Sequence, residues 1–404
     1  MSVPGKRRPA GRWAAALLLV PALGALGACG SSATSASSGA VAAAGGGAAG
    51  GGAGLPANVQ IPAIQDVTGA AGFAGTATEQ GQRVAVEQIN STHFLGSTTL
   101  SLTYSDTQST PQTGAQAASS AVNSNAPLAL GPVFSTVSLA VAPIVQRGGL
   151  PTIFTQSTAA GVNAGDDTYT ATAPVPVFLD RTIGEYLKAK NVKSLGIIGI
   201  TDNPAALVTE QALRDFCAQN GIQTISSNNV PSTTTDFTAI ATKIVDARPT
   251  AVFLLLVGPQ NVTAIKQLRA DGYNGMIVGT SVLSGGVLTP LGKSANGIVY
   301  ATDYTAGLPG AVNKAFTSLY AKMYGAGQPS DFTAEGYDAV WFAARALKLA
   351  DSANRSKVLA ALQSVAKTGF EGAVGKVTFK NRIEQVPGVL VEWENGKETL
   401  LASP

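Results

Sequence analysis

Residues 235–273 read TDFTAIATKIVDARPTAVFLLLVGPQNVTAIKQLRADGY, and two hydrophobic patterns follow one another within them. From 237 to 245, Phe237, Ile240, Ile244 and Val245 fall on one helical face, with Asp236 at the expected N-cap. The run AVFLLLV at 251–257 is apolar without interruption, as expected of a parallel strand covered on both faces. The alternation extends outward in both directions. Strands are predicted at NVQIPAI (58–64), LSLTYSD, PLALGP, LPTIFT, SLGIIGI (194–200), MIVGT and GIVYAT, and helices at 76–90, 136–147 and 178–190. Strands and helices in alternation predict an α/β fold with parallel sheets. About 350 residues follow the N-terminal segments, too many for one core, so two sheets are expected.

Composition narrows the chemistry. The chain has 404 residues, a length that favours two or three domains, and 45% of them are hydrophobic, enough to build real cores. One His and two Cys are too few for a zinc site of three or four N/S ligands, and no metal or other cofactor is expected. Net charge is +3, but Lys6, Arg7, Arg8 and Arg12 crowd the start; without them 23 basic groups face 24 acidic ones. A nucleic-acid partner is therefore not expected.

The first thirty residues look like an address. A basic start, an apolar run from Trp13 to Leu26 and small residues form secretory-signal architecture, and the run is short for a membrane span. It ends in Leu26-Gly27-Ala28-Cys29, which resembles a bacterial lipobox; that resemblance implies cleavage after residue 28 and lipidation of Cys29. Two acyl chains anchor stably. Residues 29–55 are almost wholly Gly, Ala and Ser and read as a flexible tether. Beyond Cys29 only Cys217 remains, within an apolar helical pattern, and it reads as a buried, inert thiol.

The order of elements resembles the leucine/isoleucine/valine-binding type of solute receptor. The 235–273 stretch is similar to that family's second-lobe helix–strand–helix, and GPVFSTVSLAVAPIVQRGGLPTIFTQST to its first-lobe ligand segment. TAEGYDAVWFAARALKLA resembles its long late helix and FEGAVGKVTFK its final return strand. The resemblance runs from about Val59 to about Leu401 and implies the type I periplasmic binding protein fold: two open parallel-sheet lobes joined by a three-crossing hinge. The crossings are expected near 171–173, 301–304 and 371–375, giving 56–172 plus 303–371 as lobe 1 and 173–302 plus 372–404 as lobe 2. It also implies hinge closure on a small solute.

Independently of family, open parallel sheets bind ligands at the carboxyl ends of their strands. PLALGP runs into Phe134, Ser135 and Thr136, where a helix begins and Ser135 or Thr136 is expected to cap it; free N–H groups there suit a carboxylate. LPTIFT ends in Gln156, Ser157 and Thr158. The resemblance places Ser135 and 156–158 on ligand-contacting positions. Phe73, in the loop TGAAGFAG, is a candidate cover over the ligand. On the second lobe the family's amino-acid binders carry an acid after the strand matching MIVGT, whereas this chain has Thr280-Ser281-Val282. Their aromatic contacts fall near Pro204 and Val257. A buried ammonium needs a carboxylate partner. Asp202 and Asn203, just past a strand end, are the candidates to replace it, against a plain Asx turn. A less polar carboxylate or an amide-bearing solute fits these residues better than a branched-chain amino acid.

No enzyme constellation is found. His93 sits beside Phe94 in a loop, no Gly-x-Ser-x-Gly elbow occurs, and no phosphate-binding glycine loop is present. The reading is a lipid-anchored, monomeric, extracytoplasmic solute-binding protein that delivers an amino acid, amide or small carboxylate to an ABC permease. The alternative is a ligand-sensing receptor of the same fold.

Overall fold

The computed structural model of the protein describes residues 54–325 and 327–401. The signal-like segment, Cys29 and nearly all of the glycine-rich stretch lie outside the described residues.

The chain opens with β1 (Asn58–Gln65), α1 (Gly72–Ser91), β2 (Thr99–Asp106), α2 (Pro111–Asn123), β3 (Ala129–Leu130), α3 (Ser135–Arg147), β4 (Thr152–Thr155) and β5 (Thr168–Ala171). It then continues through the short helices α4 (Val175–Phe178) and α5 (Gly184–Ala189) into β6 (Ser194–Ile200), α6 (Pro204–Gln219) and β7 (Gln223–Val230). Next come α7 (Thr238–Ala247), β8 (Ala251–Leu255), α8 (Gly258–Ala270), β9 (Met276–Thr280) and β10 (Ile298–Thr302). The last part holds α9 (Ala311–Tyr324), α10 (Asp331–Ala350), α11 (Arg355–Thr368), β11 (Phe370–Gly372), β12 (Gly375–Lys380), β13 (Ile383–Gln385), β14 (Val389–Glu394) and β15 (Lys397–Leu401).

These strands form two sheets, one per lobe. The eight-stranded sheet has the order β11-β12-β13-β5-β4-β3-β1-β2, and the seven-stranded sheet β15-β14-β10-β9-β8-β6-β7. From β2 to β13 through β5 the pairing is parallel, as it is from β7 to β10. Late antiparallel strands extend each edge. The uninterrupted apolar run of β8 is buried at every position, which is the reason its sequence does not alternate.

The third crossing corrects the sequence reading. Residues 370–380 do not carry the chain into the second lobe: β11 and β12 pair with each other, and β12 joins β13 on the first sheet. This third change of sheet comes between β13 and β14. The boundary placed between 371 and 372 therefore moves past Gln385, because a hairpin closed through Ala373 and Val374 keeps the return strand on the sheet it left.

Local chemistry sets the helix ends. Thr110 caps α2 with its side chain on Thr113 N–H, Asn354 caps α11, and Ser330 caps α10 through Thr333. Asp236 takes the Thr238 N–H and hydroxyl, one residue before the geometric N-cap Phe237 of α7.

Helices α1 and α10 approach closely because glycines face backbone. A Cβ on Gly81 would stand 1.8 Å from the Thr333 carbonyl oxygen, and one on Gly336 2.4 Å from that of Thr78. Neither obstacle is a side chain that can swing away. We expect Gly81→Ala to lower the unfolding free energy by about 1–3 kcal/mol in denaturant titration. Gly307→Ala, with nothing within 4 Å of the added methyl, serves as the control. Equal midpoints for the two variants would contradict this packing.

Candidate functional site

Strand ends of both sheets face one cavity of about 130 Å³. The first lobe contributes Val133, Phe134 and Ser135 after β3, Gln156 and Thr158 after β4, and Thr172 after β5. The second contributes Asn203 after β6, Leu256 and Val257 after β8, and Thr280, Ser281 and Val282 at the end of β9. Phe73, Phe178, Ile200, Thr209 and Phe332 also line the wall, with small and aliphatic residues between them. No lining side chain carries a formal charge.

The polar end of the cavity is the start of α3. Its N-cap is Phe134 in extended conformation, with no side-chain cap, and intrahelical bonding begins with the N–H groups of Val137 and Ser138 on the Phe134 carbonyl. Neither Ser135 nor Thr136 caps the helix, contrary to the sequence reading. The first two N–H groups of α3 thus have no intrahelical acceptor, and the helix end favours negative charge.

Asp66, at the end of β1, holds this turn in place. One of its carboxylate oxygens accepts the N–H groups of Val133 (2.9 Å) and Phe134 (2.8 Å), and the other accepts the Thr107 hydroxyl. Burial pushes the Asp66 carboxyl up to about 6, against the pull of its three donors. Ser157 supports the same turn from below: its hydroxyl meets Ser138 Oγ at 2.6 Å and the Pro132 and Val133 carbonyls at 3.0 Å. It is buried beneath the cavity rather than lining it.

Of the other residues singled out in the sequence, Phe73, Phe134, Ser135, Gln156, Thr158, Asn203 and Ser281 are brought together on the cavity wall. Thr136 and Asp202 are not. Thr136 Oγ1 donates to the Asp202 carbonyl (2.8 Å), a bond from one lobe to the other. The Asp202 carboxylate turns away to accept the Ser232 N–H and hydroxyl. Asn203 caps α6 through Ala205 N–H while bordering the cavity, so the Asx-type capping role is present. Phe73 packs edge-to-face on Phe332 at 5.5 Å. A Cβ on Gly258 of the second lobe would lie 2.7 Å from the Phe73 ring, so Phe73 reaches across the cleft.

Gln156 has a left-handed backbone (φ 53°), and its side-chain amide donates to Asp331 Oδ2 (3.0 Å) and Glu335 Oε1 (2.7 Å). Burial holds both carboxyls well above the usual range; the charge of Asp303 raises both further, and that of Asp331 raises Glu335. Sequence reasoning passed over these acids and the lining residues Thr172, Thr209, Phe178 and Phe332. The available signal was the pair Glu335 and Asp338 in the mostly apolar first half of the helix TAEGYDAVWFAARALKLA. Cys217 is buried, and burial pushes its thiol up to about 11, consistent with an inert residue. Among the described residues no helix is long and apolar enough to cross a membrane.

The family profile described as "Periplasmic binding protein" matches residues 58–397. Similar solved structures include the branched-chain amino acid transporter substrate-binding protein LivJ of Streptococcus pneumoniae in complex with isoleucine. It shares 22% identity and a TM-score of 0.78, over 85% of this chain and 99% of that one. The leucine-binding protein LivK of Thermotoga maritima is similar at 22% identity and TM-score 0.77, over 85% and 98% of the two chains. An ABC-transporter solute-binding protein of R. palustris in complex with benzoate gives 18% identity and TM-score 0.79, over 85% and 96%. No curated protein matches the chain.

Asp66 yields a pH prediction. Its carboxyl rises from the ordinary 3.8 to about 6 on folding, so the folded state holds the proton more tightly. Its contribution to stability is full below about pH 4 and is lost as pH rises through about 6. Asp66→Asn removes that dependence; its amide oxygen can still accept the Val133 and Phe134 N–H groups, while its amide nitrogen has to donate to the Thr107 oxygen instead of accepting its hydroxyl. The stability difference, wild type minus variant, is expected to fall by something on the order of 3 kcal/mol between pH 4 and 7. Parallel stability curves over that range would refute the assignment.

Proposed function

This chain belongs to the periplasmic binding protein family, and from that premise we propose that it captures an apolar solute carrying a carboxylate and no amine. It is a solute-binding protein rather than an enzyme, works outside the cytoplasm, and has an ABC permease as its partner. In the proposed cycle the lobes close over the solute, and the closed monomer presents it to the permease. Lipidation of Cys29 and the tether up to residue 55 would keep the binding domain at the membrane surface, as the lipobox-like Leu26-Gly27-Ala28-Cys29 suggests.

One observation carries the choice of solute: the cavity joins an open helix N-terminus to apolar walls, and no acidic side chain lines it. The free N–H groups of α3, with the hydroxyls of Ser135 and Thr158, suit a carboxylate. Phe134, Phe178, Ile200, Leu256 and Val257 suit an apolar body. An ammonium in the same space would find hydroxyls and amides but no lining carboxylate, and burying it unpaired is costly. Benzoate, held by the R. palustris protein, is a carboxylate of this kind; isoleucine, held by the S. pneumoniae protein, is not.

A thermal-shift panel tests the proposal, setting leucine, isoleucine and valine against their deaminated acids, their amides and benzoate. A ligand at about 100 times its dissociation constant adds roughly 2.7 kcal/mol, which moves the midpoint by several degrees. Shifts are expected with the acids alone; shifts with the amino acids alone would overturn the solute class. The double variant Ser135→Ala with Thr158→Ala should then weaken binding of the responding acid by on the order of 3 kcal/mol while keeping the fold. Undiminished affinity in that variant would remove the carboxylate from this end of the cavity.

A further inference from the structure

Behind Gln156, on the side away from the cavity, three carboxyl groups converge. Asp303 stands just past β10, on the second crossing between lobes, and Asp331 and Glu335 lie on the first turns of α10. One oxygen of each lies within 4.8 Å of the other two, and all three residues are at most 1% exposed. That spacing is about twice a calcium–oxygen bond of 2.3–2.6 Å, so such oxygens can share one ion.

Two groups orient the set. Gln156 Nε2 donates to Asp331 and Glu335, and the Ser284 hydroxyl, from the second lobe, donates to Asp331 Oδ1. Both oxygens of Asp303 and Oε2 of Glu335 lack a conventional hydrogen-bond donor, and the two carboxyl groups lie close enough to share a proton when no cation separates them. A further observation comes from another element. Glu384 on β13 is 1% exposed, its Oε1 has no partner, and it stands close enough to Asp303 and Glu335 for its charge to act on them. Among the described residues none of these four acids is in an ion pair. The Arg345 charge acts on the neighbouring Asp338.

Buried carboxylates at this density need compensating charge. The donors are all oxygens, without nitrogen or sulfur, which selects a hard ion over zinc or copper. We propose that Asp303, Asp331 and Glu335, backed by Glu384, bind a divalent cation of the calcium or magnesium class at the hinge. Through Asp303 the ion braces the second crossing, through Asp331 and Ser284 it draws on both lobes, and through Gln156 it is felt at the cavity wall. In the absence of the cation only protons can neutralise these carboxyls, so acidification and cation loading are alternative ways of relieving the cluster's repulsion.

The full chain, stripped with a chelator and free of solute, tests this at neutral pH. Calcium or magnesium chloride is expected to raise the unfolding midpoint by about 5 °C. Titration calorimetry should show one ion per chain, and added cation should flatten the gain in stability on acidification. Asp303→Asn combined with Glu335→Gln should abolish the response and exceed the metal-free wild type in stability, since the repulsion is gone. The wild-type arm decides alone if that variant does not fold. Absence of binding and of any midpoint shift up to about 10 mM of either ion, above the range of weak extracellular calcium sites, with stabilisation by acid alone, overturns the proposal in favour of protons. No solute enters the experiment, so its outcome is independent of the solute panel.

Discussion

The Asp66 carboxylate accepts the N–H groups of Val133 and Phe134 and the Thr107 hydroxyl, and in doing so ties together the ends of three neighbouring strands. β1 ends at Asp66's neighbour Gln65, Thr107 follows β2, and the turn of 133–134 follows β3. Strands in a parallel sheet end independently, and their loops need not agree on a direction. Here one buried side chain makes them agree. It supplies acceptors where the backbone lacks them, so α3 can start without a side-chain cap and keep its first N–H groups free for the cavity.

The same residue anchors the far wall. A Cβ on Gly75 would stand 2.1 Å from the Asp66 carbonyl oxygen, so α1 lies directly on this strand end. Its next contact in that direction is α10, through the reciprocal glycine approaches of Gly81 and Gly336. That places Phe73 and Phe332 in edge contact over the cavity and sets Asp331 and Glu335 beneath Gln156. The aromatic cover and the acid cluster thus follow from one close-packed line of backbone, in which each methyl added would have to displace a carbonyl.

Much of this was legible in the sequence for physical reasons. β6 and β8 are covered on both faces, so their runs are apolar and visible; the polar tails after LALGP and PTIFT stand at strand ends, where chemistry collects. What was not legible depends on who meets whom. Ser157 and Thr158 are adjacent hydroxyls at the same strand end, but only Thr158 reaches the cavity, because Ser157 is spent on the Pro132 and Val133 carbonyls. Asp202 is equally well placed in the chain, yet its carboxylate is taken by Ser232, thirty residues away. The 370–380 stretch reads as a crossing strand, and only its pairing shows that it folds back. Asp303, Asp331 and Glu335 carry no shared pattern because the second crossing and α10 meet only in three dimensions.

The acid cluster bears on what the cavity can hold. A charge one side chain away is poorly screened where water is excluded, and its effect on a bound ion is large. Three ionised carboxylates behind Gln156 would oppose a carboxylate in the cavity and favour an ammonium, although none of them lines the wall. Neutralised, by a cation or by protons, they leave the free N–H groups of α3 as the dominant polar feature, and the cavity then prefers an anion. The amide of Gln156, turned toward the acids rather than standing free, borders both regions. The charge state of the hinge and the sign of the preferred solute are therefore one question: an acid-selective cavity requires a compensated cluster, and an amine-selective one requires the cluster to be left charged.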